Sequence, residues 1–243
     1  MAYDSLMRED YSYVAYAGYI KKAFTKYGGP RGGPIADLGC GAGAMCVELA
    51  KQGYDAIGID NSPHMLARAR DAAISGGYPD MLFLEQDITS FELIGKAGAF
   101  ISTIDSVNYI TDKRGFRRVF RLAASYLPPG GLFIFDINTE HKLKNTMGGN
   151  IFYNIGEDFC CLWESRFGAG KKISVSELTL FTRSDGDRWR RYDETHRQRA
   201  YSAADIEAAL DGSGFTIIGT YGFLSFRKPA PDADKISYIL MKQ

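Results

Sequence analysis

The sequence predicts an α/β protein, with a doubly wound, mostly parallel seven-stranded sheet and an antiparallel β insertion. From residue 35 to 138, short apolar runs alternate with segments of helical periodicity, as in a parallel sheet covered on both faces. Between 139 and 200 the period becomes two, with glycine-containing turns, which indicates an antiparallel meander. Two final strand-like runs, Phe215–Phe223 and Ile236–Met241, predict an antiparallel hairpin at the edge of the sheet.

The individual elements follow from these periods. The first five predicted strands are Ile35–Leu38, Ala56–Asp60, Met81–Glu85, Ala99–Thr103 and Gly131–Ile137, and helices are expected at 44–52, 63–75, 112–126 and 203–210. Residues 1–138 and 201–243 are predicted to form one domain with a helical N-terminal cap over 1–30. The insertion 139–200 is expected to roof the active site.

A glycine-rich turn follows the first strand and predicts a ligand site. Gly39, Gly41 and Gly43 let the backbone turn sharply and approach a bound group closely. Asp60 ends the next strand about 20 residues on, where an acid can hold ribose hydroxyls. This spacing fits a nicotinamide dinucleotide, and it fits S-adenosylmethionine equally well.

Three features favour the second ligand. Asp37 lies two residues before the first glycine, where a negative charge suits a cationic sulfonium with a free amino group better than a pyrophosphate. Asp87, after the third strand, is placed to accept from an adenine amino group. The final hairpin is the third feature.

Several motifs carry a resemblance to a known family, namely Asp37–Gly43, Asp60–Leu66, Gln86–Ile88, Ile104–Tyr109 and Leu127–Asp136. With them the chain resembles class I S-adenosylmethionine-dependent methyltransferases from residue 1 to 243. The segments Asp136–Asn138, Trp163-Glu164 and Glu194–Tyr201 are also similar to small bacterial methyltransferases related to aminosugar N-methyltransferases. The resemblance implies a Rossmann-like fold, S-adenosyl-L-methionine as cofactor and S-adenosyl-L-homocysteine as product.

The loop, the strand ends and the resemblance together predict the cofactor contacts. They are Tyr3, Asp37, Gly39, Cys40, Gly41, Asp60, Asn61, Met65, Asp87, Ile88, Thr103 and Ile104. The resemblance implies that Tyr3 covers the ligand and that Met65 meets the adenine face.

The predicted catalytic residues are His196, Asp105 and Asn108. Period two places Glu194 and His196 on one face of a strand, so that the carboxylate can orient the imidazole ring and raise its basicity. In related enzymes the segment of Asp105, Asn108 and Tyr109 lines the methyl-transfer site. A carboxylate at position 105 would favour a cationic or amine substrate.

Composition narrows the class of acceptor. Lys+Arg 29 balances Asp+Glu 29, so no global field attracts a polyanion, and nucleic acid is not expected as a partner. The four cysteines lack metal-ligand spacing and are expected to be reduced, as in a cytoplasmic enzyme. No signal peptide or membrane-spanning run is predicted. We therefore expect methyl transfer to a small molecule, more at nitrogen than oxygen, while an RNA or protein methyltransferase and an NAD-dependent oxidoreductase stay as alternatives.

Overall fold

The computed structural model describes residues 12–184 and 186–243. Its strands are β1 (Ile35–Leu38), β2 (Ala56–Asp60), β3 (Leu82–Glu85), β4 (Ala99–Ser102), β5 (Leu132–Asn138), β6 (Ile151–Ile155), β7 (Phe159–Gly168), β8 (Ile173–Arg183), β9 (Trp189–Arg199), β10 (Phe215–Gly222) and β11 (Lys235–Lys242). Its α-helices are α1 (Tyr13–Tyr27), α2 (Ala44–Lys51), α3 (Pro63–Ser75), α4 (Lys113–Tyr126) and α5 (Ala203–Leu210). A 3₁₀ turn spans Ser106–Tyr109 and a π-helical turn spans Lys142–Thr146.

The main sheet has seven strands in the order β10-β11-β5-β4-β1-β2-β3. The pairings from β3 to β5 are all parallel, whereas β11 runs antiparallel to both of its neighbours, β5 and β10. The predicted mostly parallel sheet and its edge hairpin are therefore confirmed. The carboxyl ends of β1 to β5 meet along one edge, where such sheets bind ligands.

Local sequence signals fix where the helices begin. The Ser62 hydroxyl accepts from the Met65 amide at 3.3 Å, and Pro63 occupies the first turn of α3. Ser202 and Asp205 form a reciprocal capping box at the start of α5. The helix starts are thus readable from capping residues, and the predicted and observed elements differ by a residue or two at their ends.

Two apolar layers cover the faces of the main sheet. One layer joins β4 and β5 to α4 and α5 through Phe100, Phe120, Phe133 and neighbouring residues. Within it, the rings of Phe116 and Tyr201 stack with centroids 3.7 Å apart. The other layer packs α1, α2 and α3 against the opposite face. This double covering is why β1, β4 and β5 are buried along their whole length.

The insertion forms a separate four-stranded antiparallel sheet in the order β6-β7-β8-β9. The predicted meander is therefore confirmed as a β structure. One of its faces carries buried residues, among them Cys161, Leu178 and a Ser165–Ser176 hydroxyl pair whose oxygens lie 2.8 Å apart. Cys160 and Cys161 are neighbours in β7, and Cys161 is the more buried of the two. All four cysteines are free.

A helix begins at Tyr13 in the described part of the N-terminal segment. The Ser12 hydroxyl caps α1, which starts at Tyr13. The predicted helix from residue 1 and the predicted cofactor contact of Tyr3 lie outside the described residues. Within residues 12–184 and 186–243, no helix is both long and apolar enough to cross a membrane, and no group of three or more His, Cys, Asp or Glu side chains could hold a metal ion.

Candidate active site

A cavity of about 710 Å³ opens at the carboxyl edge of the parallel strands. It brings together most of the predicted site residues: Gly39, Cys40, Gly41, Asp60, Asn61, Met65, Asp87, Ile88, Thr103, Ile104, Asp105 and His196. Its further lining includes Tyr13, Ser62, Ser106, Tyr109, Thr111 and Asp112. The volume suits a ligand of cofactor size together with a small second molecule.

The glycine turn forms the floor of this cavity. Gly39, Gly41 and Gly43 all have positive φ, at 79°, 52° and 73°. A Cβ on Gly39 would lie 2.7 Å from the Cβ of Ser106, so this position has neither the conformation nor the space for a side chain. The Ser106 hydroxyl also donates to the Gly39 carbonyl at 3.2 Å. The turn and the segment after β4 are therefore packed directly on each other.

Asp60 braces the glycine turn from the end of β2. Its Oδ2 accepts from the Gly41 amide at 2.9 Å, and its Oδ1 accepts from the Ser62 amide at 2.9 Å. Each carboxylate oxygen keeps a further lone pair, which a ribose hydroxyl can use. At the end of β3, Asp87 Oδ1 accepts from the amide and hydroxyl of Thr89, both at 2.7 Å.

Asp37 lies behind the turn and is absent from the described cavity lining. It is 1 % exposed on β1, and the Cys46 thiol contacts its Oδ2 at 3.7 Å. Its Oδ1 has no hydrogen-bond partner among the described residues. Burial away from water raises the pKa of the carboxyl from 3.8 to about 7. A buried acid with an unused oxygen suits a site that receives a cationic donor.

Two consecutive residues after β4 have an unusual backbone. Ile104 has φ 54° and Asp105 has φ 53°, although neither is glycine. For a β-branched residue this region is an outlier, and such a residue costs about 1–3 kcal/mol when the surroundings hold it there. We call this pair the left-handed pair. Both of its residues line the cavity.

A buried polar cluster holds the left-handed pair from below. The Asp105 amide donates to Asp136 Oδ2 at 3.0 Å, and the Asp105 carboxylate receives Lys235 Nζ and Gln198 Nε2, each at 2.5 Å. The Tyr16 hydroxyl donates to the second oxygen of Asp136. Burial raises the pKa of Asp136, an effect that the nearby Lys235 ammonium opposes. The Asp105 carboxylate is thus already paired within the protein.

Asn108 is fully buried and is not among the described lining residues. Its side-chain nitrogen donates to the carbonyls of Asn138 and Arg199, at 3.0 and 2.8 Å, and its oxygen accepts from the Asn138 amide at 2.9 Å. These contacts join the 3₁₀ turn to β5 and β9. The predicted residue is therefore next to the site, with its amide turned toward the backbone.

Two aromatic side chains meet at the other end of the cavity. The Tyr109 hydroxyl lies 3.0 Å from His196 Nδ1, and His196 Nε2 lies 3.2 Å from Glu194 Oε2. The predicted pairing of Glu194 with His196 on one face of β9 is confirmed. Sequence reasoning missed how many segments meet here, because Tyr109 and His196 are 87 residues apart along the chain.

The fold and the cavity define an α/β domain that binds an adenosine-containing cofactor. Residues 35–131 match the family model described as methyltransferase domain. A methyltransferase-family protein of Geobacillus sp. (strain WCH70) is 30% identical over 241 residues, which cover 99% of this chain and 96% of the relative. The chain therefore belongs to the family of S-adenosylmethionine-dependent methyltransferases.

Two further relatives agree with this assignment. The crystal structure of an S-adenosylmethionine-dependent methyltransferase from Clostridium acetobutylicum ATCC 824 superposes with a TM-score of 0.90 at 28% identity, covering 99% of this chain and 96% of that one. A dTDP-3-amino-3,4,6-trideoxy-alpha-D-glucopyranose N,N-dimethyltransferase of Streptomyces venezuelae is 24% identical over 77% of each chain.

The described residues fit S-adenosylmethionine. The positive-φ glycines allow its close approach, Asp60 retains acceptor capacity for ribose hydroxyls, and the unused Asp37 oxygen suits an ammonium group. Family membership overturns the alternative of an NAD-dependent oxidoreductase. The glycine spacing alone could not separate the two cofactors, because both require the same sharp turn.

Proposed function

We propose that the protein transfers a methyl group to the amine nitrogen of a small-molecule acceptor. The observation that carries this proposal is the contact series Tyr109–His196–Glu194, which ends in the same cavity as the glycine turn. An amine is protonated at neutral pH and must lose a proton before its lone pair can attack. Bound S-adenosylmethionine supplies an electrophilic methyl group on its sulfonium centre.

The contacts indicate which atom donates a proton and which accepts it along the series. If Glu194 accepts the Nε2 proton, the Nδ1 lone pair of His196 accepts the Tyr109 hydroxyl proton. The phenol oxygen of Tyr109 can then accept a proton from the acceptor while its own proton moves to Nδ1. Glu194 stabilises the imidazolium that forms. In this proposal Tyr109 meets the acceptor, and His196 acts through it.

The other predicted residues receive roles consistent with their placement. Asp60, Asp87 and Met65 would hold the adenosine part, and Thr103 and Ile104 would border the transferred methyl group. Asp37, which lies behind the glycine turn, would complement the charge of the cofactor's ammonium group from there. The insertion 139–200 would close the acceptor side, because β9 contributes His196 to the cavity wall.

One relative supports an amine acceptor by analogy. The Streptomyces venezuelae relative is named for methylation of an amino sugar nucleotide. Balanced charge favours a small acceptor over nucleic acid or a membrane, and the free cysteines fit a cytoplasmic location. An acceptor with a primary or secondary amine on a polar ring is accordingly the first class to screen.

The test is a turnover assay with S-adenosylmethionine and a panel of amines, including amino sugar nucleotides, that measures S-adenosylhomocysteine release. We expect the Tyr109→Phe, His196→Gln and Glu194→Gln variants to lose about 100-fold or more in kcat, with unchanged affinity for S-adenosylhomocysteine. Asp193→Asn is the matched control, because Asp193 precedes Glu194 on β9 and bonds Thr179 and Arg191 instead. Turnover only with hydroxyl compounds, RNA or protein would overturn the nitrogen assignment.

A further inference from the structure

Lys235 is a buried cation that neither the motifs nor the proposed acceptor chemistry uses. It begins β11 and is 5 % exposed. Its Nζ lies 2.5 Å from Asp105 Oδ1 and 3.5 Å from Asp136 Oδ2, and 5.3 Å from the centroid of the Phe223 ring. Burying an ammonium group is costly, so a lysine in this place needs both carboxylates around it.

The two carboxylates that Lys235 bridges meet at Asp105, the second residue of the left-handed pair. Asp136 accepts the amide proton of Asp105, and the side chain of Asp105 returns to Lys235. These contacts hold Asp105 both at its backbone amide and at its side chain. The left-handed pair would relax toward ordinary φ values unless its surroundings held it. The ammonium group is the one described cation that contacts both carboxylates.

We infer that Lys235 is a positioning residue, which sets the conformation of the left-handed pair and thereby shapes the cofactor end of the cavity. Ile104 and Asp105 line the cavity, so a change in their backbone moves its wall. Lys235 reaches this wall through Asp105 and Asp136. This inference rests on the family's cofactor, and it is independent of the identity of the acceptor.

Removal of the ammonium group has a consequence that depends on pH. Lys235 faces the carboxylates of Asp105 and of Asp136 on β5. These carboxylates also receive the neutral Gln198 amide from β9 and the Tyr16 phenol from α1. Without the cation, two buried carboxylates repel each other close to the left-handed pair. One carboxyl then takes up a proton as the pH falls, which removes the repulsion.

The experiment measures the Kd for S-adenosylhomocysteine by calorimetry between pH 6 and pH 9, with circular dichroism as the check of folding. We expect Lys235→Met to bind about ten-fold more weakly than the wild type at pH 9 and to match the wild type at pH 6. The ratio of the two Kd values at each pH separates this effect from the titration of Asp37, which both proteins share. Lys22→Met, on the exposed face of α1, is the matched control and should bind like the wild type.

A double variant separates positioning from a loss of bulk. Asp105→Asn/Lys235→Met removes one charge of each sign and should restore binding at pH 9 to within about three-fold of wild type. If Lys235→Met does not fold, this double variant and Lys235→Arg still test the inference, because both avoid two unpaired carboxylates. An unchanged Kd and pH profile in Lys235→Met would overturn the inference. A double variant that shows the same pH-dependent loss of binding as Lys235→Met would also overturn it.

Discussion

The cofactor side and the acceptor side of the cavity are built in different ways. On the cofactor side, the glycine turn, Asp60 and Asp87 lie close together in the chain and satisfy one another through backbone contacts. On the acceptor side, Tyr109 meets His196 of β9, 87 residues away in the chain, and Asn108 bonds Asn138 of β5 and Arg199 of β9. One half of the site is thus specified locally, whereas the other depends on the assembled fold.

The largest expected effect concerns Asp37, a buried acid on the cofactor side that lowers the stability of the folded protein. Its folded-state pKa of about 7 lies above the value of 3.8, so the folded chain binds more protons across that interval and the free energy of unfolding falls as the pH rises through it. Asp37→Asn should therefore stabilise the cofactor-free protein by about 4 kcal/mol at pH 8 and by less at pH 5. Urea unfolding at both pH values measures this.

The same variant tests whether the buried acid contributes to cofactor binding. We expect Asp37→Asn to bind S-adenosylmethionine more weakly, because the neutral amide no longer complements an ammonium group. Asp55→Asn, at an exposed position just before β2, is the control and should alter neither stability nor binding. Equal stability of Asp37→Asn and wild type at pH 8 would contradict the raised pKa.

The next effect tests the contact between the two sides. In Gly39→Ala the new Cβ meets Ser106 at 2.7 Å in a backbone with φ 79°, so the turn and the segment after β4 must separate. We expect a loss of about 100-fold in affinity for S-adenosylhomocysteine, or about 3 kcal/mol. Calorimetry measures the loss.

Gly53→Ala separates the steric clash from the backbone conformation. Gly53 has φ 85° but open space around its Cα, so its alanine variant carries the conformational cost without the clash. It should lower stability by about 1 kcal/mol and leave binding unchanged. Similar binding losses in the two variants would show that the Gly39–Ser106 contact does not matter.

The smallest of the three effects concerns the acceptor side alone. Asn108→Ala leaves the Asn138 amide and the Arg199 carbonyl without their buried partner, which should lower the free energy of unfolding by about 2 kcal/mol. Affinity for S-adenosylhomocysteine should change by less than about three-fold. Asn150→Ala, which removes one exposed bond to Thr146, is the control in the same urea titration. A large loss of cofactor binding would make Asn108 part of the cofactor side.

The sequence allows prediction of the local half of the site far better than of the assembled half. The strand ends and the glycine turn follow from periodicity and conformational preference, and β1 and β2 were predicted to the residue. The pairing of Glu194 with His196 was predictable because both lie on one strand. Asp105 was placed correctly in the cavity, yet its pairing with Lys235 was not predictable, since 130 residues separate the two and β11 is inserted between β5 and β10.

The last strand, β11, lies between β10 and β5, and this order has a consequence for synthesis on the ribosome. The residues of the glycine turn, Asp60 and Asp87 have been synthesised soon after β3, and Ser106, which packs on Gly39, follows with the segment after β4. The left-handed pair receives its cation only when Lys235 has followed, about 130 residues later in translation. A nascent chain thus contains every residue of the glycine turn long before the cation that holds the left-handed pair is available.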